Sequence, residues 1–273
     1  MGMERAHAES APWVCLIYHD VTPHKPVASG GRDYFSVSEA QFHHQLDLIR
    51  ASGLRGCSIA DAITHPSAAV AISFDDGDLG QAERAFPALA SRGMTATFFV
   101  TTSWIGTPRY ASWEQLREMR AAGMSIQSHT HAHPFLSECD GTRLRDELRR
   151  SRELLNERLE QDTTQIAFPG GDAPRPELRG MLTEEGYRVI GTSRWGTNRS
   201  ARGEEPWYLR RCTVRGAPSD AHFRAIISAD PWLNVRKQAR EGTLAWLRSS
   251  LGPSRYARWR RGFLSRARAV RTG

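Results

Sequence analysis

Short apolar runs recur along this chain, and most are separated by a stretch with helical periodicity. Trp13 to His19, Ala69 to Ile72, Thr95 to Val100, Ser125 to Gln127, Gln165 to Phe168, Tyr187 to Thr192 and Trp207 to Val214 read as strands. Between them, Phe42, Leu46 and Ile49 mark one helix face that Gly53 stops, and further helices are predicted over 81–92, 112–122, 140–161 and 175–185. Leu144, Leu148, Leu155 and Leu159 give the longest of these an apolar stripe. Strands that alternate with helices in this way form a parallel sheet with helices outside it. About seven strand–helix units exceed a small doubly wound sheet and approach a barrel of the eight-stranded type.

Two of the strands end in clusters that carry chemistry. Ser73-Phe74-Asp75-Asp76-Gly77 follows the run at 69–72, and Ser128-His129-Thr130-His131-Ala132-His133 follows the run at 125–127. In a parallel sheet both clusters open onto the same rim. One carboxylate and two imidazoles suit a borderline divalent ion such as zinc, with a position left open for water. Asp76, His129 and His133 make such a set, the histidines four apart and so on one face of a helical turn. Asp75, pointing the other way in an extended chain, is free to act as a base on a metal-bound water. Taken singly, an Asp-Asp-Gly turn or a His pair at this spacing is common on ordinary surfaces.

Together with their strands, the clusters resemble the first and second motifs of the polysaccharide deacetylases, also called the NodB homology family or carbohydrate esterase family four. Leu16-Ile17-Tyr18-His19-Asp20-Val21 with Phe42 and Leu46, and Thr95-Ala96-Thr97-Phe98-Phe99-Val100, resemble further strands and a helix of that family, over about residues 13 to 215. The resemblance implies an α/β fold, a distorted (β/α) barrel of about seven strands. It implies removal of an acetyl group, N-acetyl before O-acetyl, from a glycan or lipid-linked sugar, as in exopolysaccharide biosynthesis. Carried over by position, Asp75 is the base, while Asp76, His129 and His133 hold the ion, zinc first and cobalt or nickel as alternatives. A non-sugar amidase or imidase, or a glycan-binding descendant without activity, are the other readings.

The third family motif departs. Where many relatives have an arginine and a tyrosine around Pro-x-Gly, this chain has Ala167-Phe168-Pro169-Gly170-Gly171. Gly170 can still offer its N–H to an oxyanion, but the cation that orients the base is missing, and Arg211 in Leu209-Arg210-Arg211-Cys212 is expected to supply it. The late motif with an acidic histidine is also not recognisable; His222 is the only histidine in that region and reads equally well as part of a surface helix. Trp195 is either a sugar platform or a packed loop residue.

Of the formal net charge of +7, the last segment holds more than the whole: from Arg236 onward ten arginines and Lys237 face Glu241 alone. The preceding chain is mildly acidic, which argues against a nucleic-acid surface. Trp232, Leu233, Leu244, Trp246, Leu247, Trp259, Phe263 and Leu264 interleave with these cations. That pattern fits either peripheral contact with an anionic membrane or a helix docked on the barrel. The expected organisation is a polar segment 1–12, a barrel over 13–230 and a basic Arg/Trp-rich tail over 231–273. Four scattered cysteines give no thiol metal cluster or disulfide framework. The start resembles no secretory signal, so a cytoplasmic protein, peripheral at the inner membrane face, is expected.

Overall fold

Strand β1 (Val14–Tyr18) buries all five side chains, as a strand covered on both faces must, and its sequence is accordingly an unbroken apolar run. The computed structural model describes residues 12–24, 35–171, 176–199 and 206–239; residues 1–11 and the tail from 240 onward lie outside that set. Two short strands, β2 (Val21–Thr22) and β3 (Val37–Ser38), pair with each other. Helix α1 (Glu39–Ala51) then starts where the Ser38 hydroxyl accepts the Gln41 N–H. Next come β4 (Arg55–Cys57), α2 (Ile59–Thr64) and β5 (Ala69–Phe74), the last buried throughout.

A π-helical turn, Gln81–Ala85, runs into α3 (Phe86–Ala90). The alternation continues through β6 (Thr97–Val100), α4 (Trp113–Ala121), β7 (Ser125–Ser128), α5 (Gly141–Leu159), β8 (Gln165–Ala167), α6 (Pro176–Glu184) and β9 (Val189–Gly191). Strands β10 (Trp207–Leu209) and β11 (Cys212–Thr213) and helix α7 (Asp220–Ile227) follow, and residues 231–239 are helical.

Among the described residues nine strands make one sheet in the order β10-β9-β8-β7-β6-β5-β1-β11, with β4 also on β5. Every strand pairing in it is parallel. Its two ends, β10 and β11, are consecutive in sequence but are not hydrogen-bonded neighbours. Near the β10 end, Trp13, just ahead of β1, and Asn198 exchange backbone hydrogen bonds of 2.9 Å, and the Trp13 and Trp207 rings lie edge to face at 5.9 Å. The architecture is the distorted (β/α) barrel expected from the sequence. It has nine strands because β4 is only three residues long and because Trp207 to Val214, read as one strand, breaks at Arg210 and Arg211. The α5 stripe is buried as its leucines imply, yet Glu147 and Ser151 are buried with it. Among the described residues no helix is long and apolar enough to cross a membrane.

Candidate active site

The site begins where β5 stops. The Asp75 N–H donates to the Tyr18 carbonyl at 3.0 Å, still in sheet fashion, and then the backbone turns sharply, with φ of 78° at Asp76 and 88° at Gly77. A non-glycine residue in this left-handed region costs on the order of 1–3 kcal/mol and persists only where its surroundings impose it. Part of that imposition comes from Gln81, which sequence patterning marked only as helix. Its side-chain amide, buried in the π turn, donates to the carbonyls of Asp75 (2.6 Å) and His19 (2.9 Å) and so ties the ends of β5 and β1 together. Single π turns of this kind are frequent at functional sites.

The two aspartates diverge. Asp76 Oδ1 lies 3.3 Å from Nε2 of both His129 and His133, and one ligand atom from each of the three residues falls within 4.8 Å of the others. The set fits a divalent cation on chemical grounds. His129 Nδ1 is 3.0 Å from the Ala167 carbonyl; it must donate there, which leaves the Nε2 lone pair facing Asp76 and His133. Burial works against ionisation of Asp76, but its contacts with His129 and His133 prevail and hold its carboxyl well below the usual carboxylate range. The His133 ring stacks on Trp104, centroids 4.8 Å apart.

The histidines are not on a helical turn, as their spacing suggested. Residues 129–135 are irregular, with Thr130 at φ 68° and His133 at φ 59°. Two left-handed residues fold the segment back, so both imidazoles face Asp76 from a loop. His131 turns elsewhere: its Nδ1 is 2.9 Å from the Thr102 hydroxyl.

Asp75 faces Arg211, which lies between β10 and β11. Both of its oxygens accept from Arg211, Nη1 to Oδ1 at 2.7 Å and Nη2 to Oδ2 at 3.0 Å. Arg211 is fully buried; its Nε donates to the Thr192 carbonyl at 2.9 Å, and its guanidinium lies 5.2 Å from the Phe99 ring centroid. Burial raises the Asp75 pKa, but the charges of Arg211 and His129 and the Arg211 hydrogen bonds more than reverse this, and the carboxyl sits below its ordinary value. A fork-shaped pair of this kind fixes orientation as well as charge.

Gly170 has φ 64° in the turn after β8, and a Cβ there would run into the Phe135 ring. Trp195 is no sugar platform: it is buried, its indole N–H donates to Asn234 at 2.9 Å, and Lys237 lies over its ring at 4.6 Å. His222 sits in the first turn of α7, a helix that packs on α1 outside the barrel, and it joins none of the groups around Asp75 and Asp76. The histidine that does join them is His19, which the sequence placed only as a strand end. It lines a small pocket with Asp20, Phe35, Ser36, Asp76, Asp78 and Arg109. Its Nδ1 is buried without a hydrogen-bond partner, and burial lowers its pKa against the opposing pull of Asp76 and Asp75.

Residues 62–190 match the family model described as polysaccharide deacetylase. Over that stretch the chain is similar to the polysaccharide deacetylases. Among curated relatives, the Bacillus subtilis protein YxkH is 31% identical over 160 residues, 59% of this chain and 56% of YxkH. A poly-beta-1,6-N-acetyl-D-glucosamine N-deacetylase of Staphylococcus epidermidis is 26% identical over 196 residues, 62% of this chain and 68% of the relative. The matched stretch thus spans little more than half of YxkH. Among solved structures, IcaB from Ammonifex degensii superposes with a TM-score of 0.66 at 27% identity, covering 81% of this chain and 99% of IcaB. The Streptococcus pyogenes deacetylase PplD superposes with a TM-score of 0.71 at 24% identity, covering 80% and 99%. This last likeness is one of fold.

Proposed function

We propose that the chain is a metal-dependent hydrolase that removes N-acetyl groups from a glycan, with a polymer of N-acetylglucosamine as the substrate class. One observation carries this: a three-donor cluster of Asp76, His129 and His133 beside a second carboxylate, Asp75, that a buried arginine clamps. Asp76, His129 and His133 would hold the ion, which when bound supplies Lewis acidity for the acetyl carbonyl and makes water acidic enough to deprotonate near neutral pH. Asp75, kept ionised by Arg211, takes the proton of the attacking water. The Gly170 N–H offers a hydrogen bond to the developing oxyanion.

For the tail, the reading we favour is contact with an anionic membrane surface. Trp232 (79% exposed) and Val235 (61%) are the large apolar side chains left in solvent among the described residues, three apart on the helix at 231–239 that leads into the arginine-rich sequence. Apolar side chains next to a cationic run are the composition of an interfacial helix, and a cytoplasmic protein would meet acidic lipids at the inner leaflet.

The test is metal analysis of the purified protein together with acetate release from β-1,6-linked N-acetylglucosamine oligomers, for wild type and Asp75→Asn. Wild type is expected to carry about one divalent ion per chain. Asp75→Asn is expected to keep the ion and lose about 10²–10⁴-fold in rate, the contribution of a positioned base. Bound metal without acetate release from any N-acetylated glycan would overturn the proposal.

A further inference from the structure

Glu147 lies in the middle of the apolar face of α5, between Leu144 and Leu148, and is 6% exposed. A carboxylate in such a place is costly unless it is hydrogen-bonded. Its Oε2 accepts two backbone N–H groups, those of His131 at 3.0 Å and Ala132 at 2.7 Å. Both belong to the loop between His129 and His133. Hydrogen bonds to a charged acceptor are the strong ones, and here both act on the backbone of the histidine loop.

The rest of that loop shows what the two bonds accomplish. The His129 N–H donates to the Val100 carbonyl, that of Thr130 to the Ser128 hydroxyl, and that of His133 to the Thr130 hydroxyl. With Glu147 holding residues 131 and 132, every N–H from 129 to 133 is committed. The carbonyls of Thr130 and His131 accept from Thr102 and Ser103 on the neighbouring loop. One turn further along α5, Ser151 lies 2.8 Å from Ser128 and 3.1 Å from the Tyr187 hydroxyl, so the same helix face also braces the end of β7. Without these ties nothing would favour left-handed backbone at a β-branched threonine and at a histidine.

We propose that Glu147 is a positioning residue: it holds the 129–133 loop in its strained conformation and so presets His129 and His133 for the ion. This rests on the metal-site reading above. Two measurements on the full chain test it. Hydrogen exchange of the amides in 130–133 needs no metal, and Glu147→Ala is expected to lose protection there while the barrel strands keep theirs. Zinc affinity by titration, with cobalt absorption as a probe of ligand geometry, is expected to fall about 10–100-fold, the usual cost of removing an outer partner of a metal ligand. Glu147→Gln, which keeps an acceptor oxygen, is expected to recover much of both.

Unchanged amide protection, or unchanged zinc affinity and cobalt spectrum in Glu147→Ala, would overturn the proposal. Loss of protection throughout the barrel in both variants would do the same, since Glu147 would then serve the fold at large. A wild-type protein that takes up no ion would instead sink the metal reading, and the amide exchange would still decide whether Glu147 holds the loop.

Discussion

Arg211 grips both oxygens of Asp75 from 136 residues away, at 2.7 and 3.0 Å, with neither residue open to solvent. Breaking one side of a buried ion pair leaves the other charge uncompensated, at a cost of about 3–5 kcal/mol. Arg211→Ala is therefore expected to lower stability by that order and to depress turnover while metal content per folded chain stays the same. Arg211→Lys keeps a charge but not the fork, and should fall between. Denaturant unfolding, metal analysis and acetate release on the same samples check this; equal turnover in Arg211→Ala would remove the arginine from the mechanism.

The same pair sets a pH dependence. The folded Asp75 pKa lies below its ordinary value, so the unfolded chain takes up the proton first as pH falls. The stabilisation is complete above the unfolded pKa, about 3.9 for an aspartate. It is lost as pH drops through the folded value. Unfolding free energies measured from pH 6 downward should show a gap between wild type and Asp75→Asn that is constant near neutrality and narrows below about pH 4. A gap that stays constant to the acid limit would contradict this assignment.

Gly170 combines left-handed backbone with contact against Phe135. Gly170→Ala is expected to destabilise by about 1 kcal/mol or more and to lower turnover without loss of metal, because the N–H offered to the oxyanion moves with the turn. Adding Phe135→Ala relieves the collision and should restore part of the stability, though not the backbone preference. Thermal melts and steady-state kinetics of the single and double variants separate the two effects. Full turnover in Gly170→Ala would take this N–H out of the oxyanion site.

The tail makes a different kind of prediction. Full-length protein is expected to float with vesicles containing anionic phosphatidylglycerol and not with neutral ones, and a version ending at Asp230 is expected to stay behind. Trp232→Ala should weaken flotation measurably, given the exposed position of that ring. Equal flotation of the long and short forms would exclude the membrane role.

What the sequence disclosed, and what it hid, follows from the range of each interaction. β5 and β7 were readable because they are buried runs, and the rim they share followed from the parallel alternation around them. The histidine loop was misread as helical because four-residue spacing is also met by two left-handed residues, and local preference speaks against that conformation at Thr130. Glu147 was invisible because a glutamate in an amphipathic helix ordinarily belongs to the wet face. The burial of Trp195 depends on Asn234 and Lys237, some forty residues later in the chain. Arg211 could be named because a cation was missing where the base needed one, but only the folded chain brings it to Asp75.

The position of Arg211 between β10 and β11 gives that contact a wider meaning. All three candidate metal donors lie before residue 134, whereas the guanidinium that holds Asp75 arrives only with the last strands. A chain interrupted before residue 206, or one whose final strands had not docked, would contain all three candidate donors yet leave Asp75 without its clamp. Completion of the barrel and the clamping of Asp75 are thus one event.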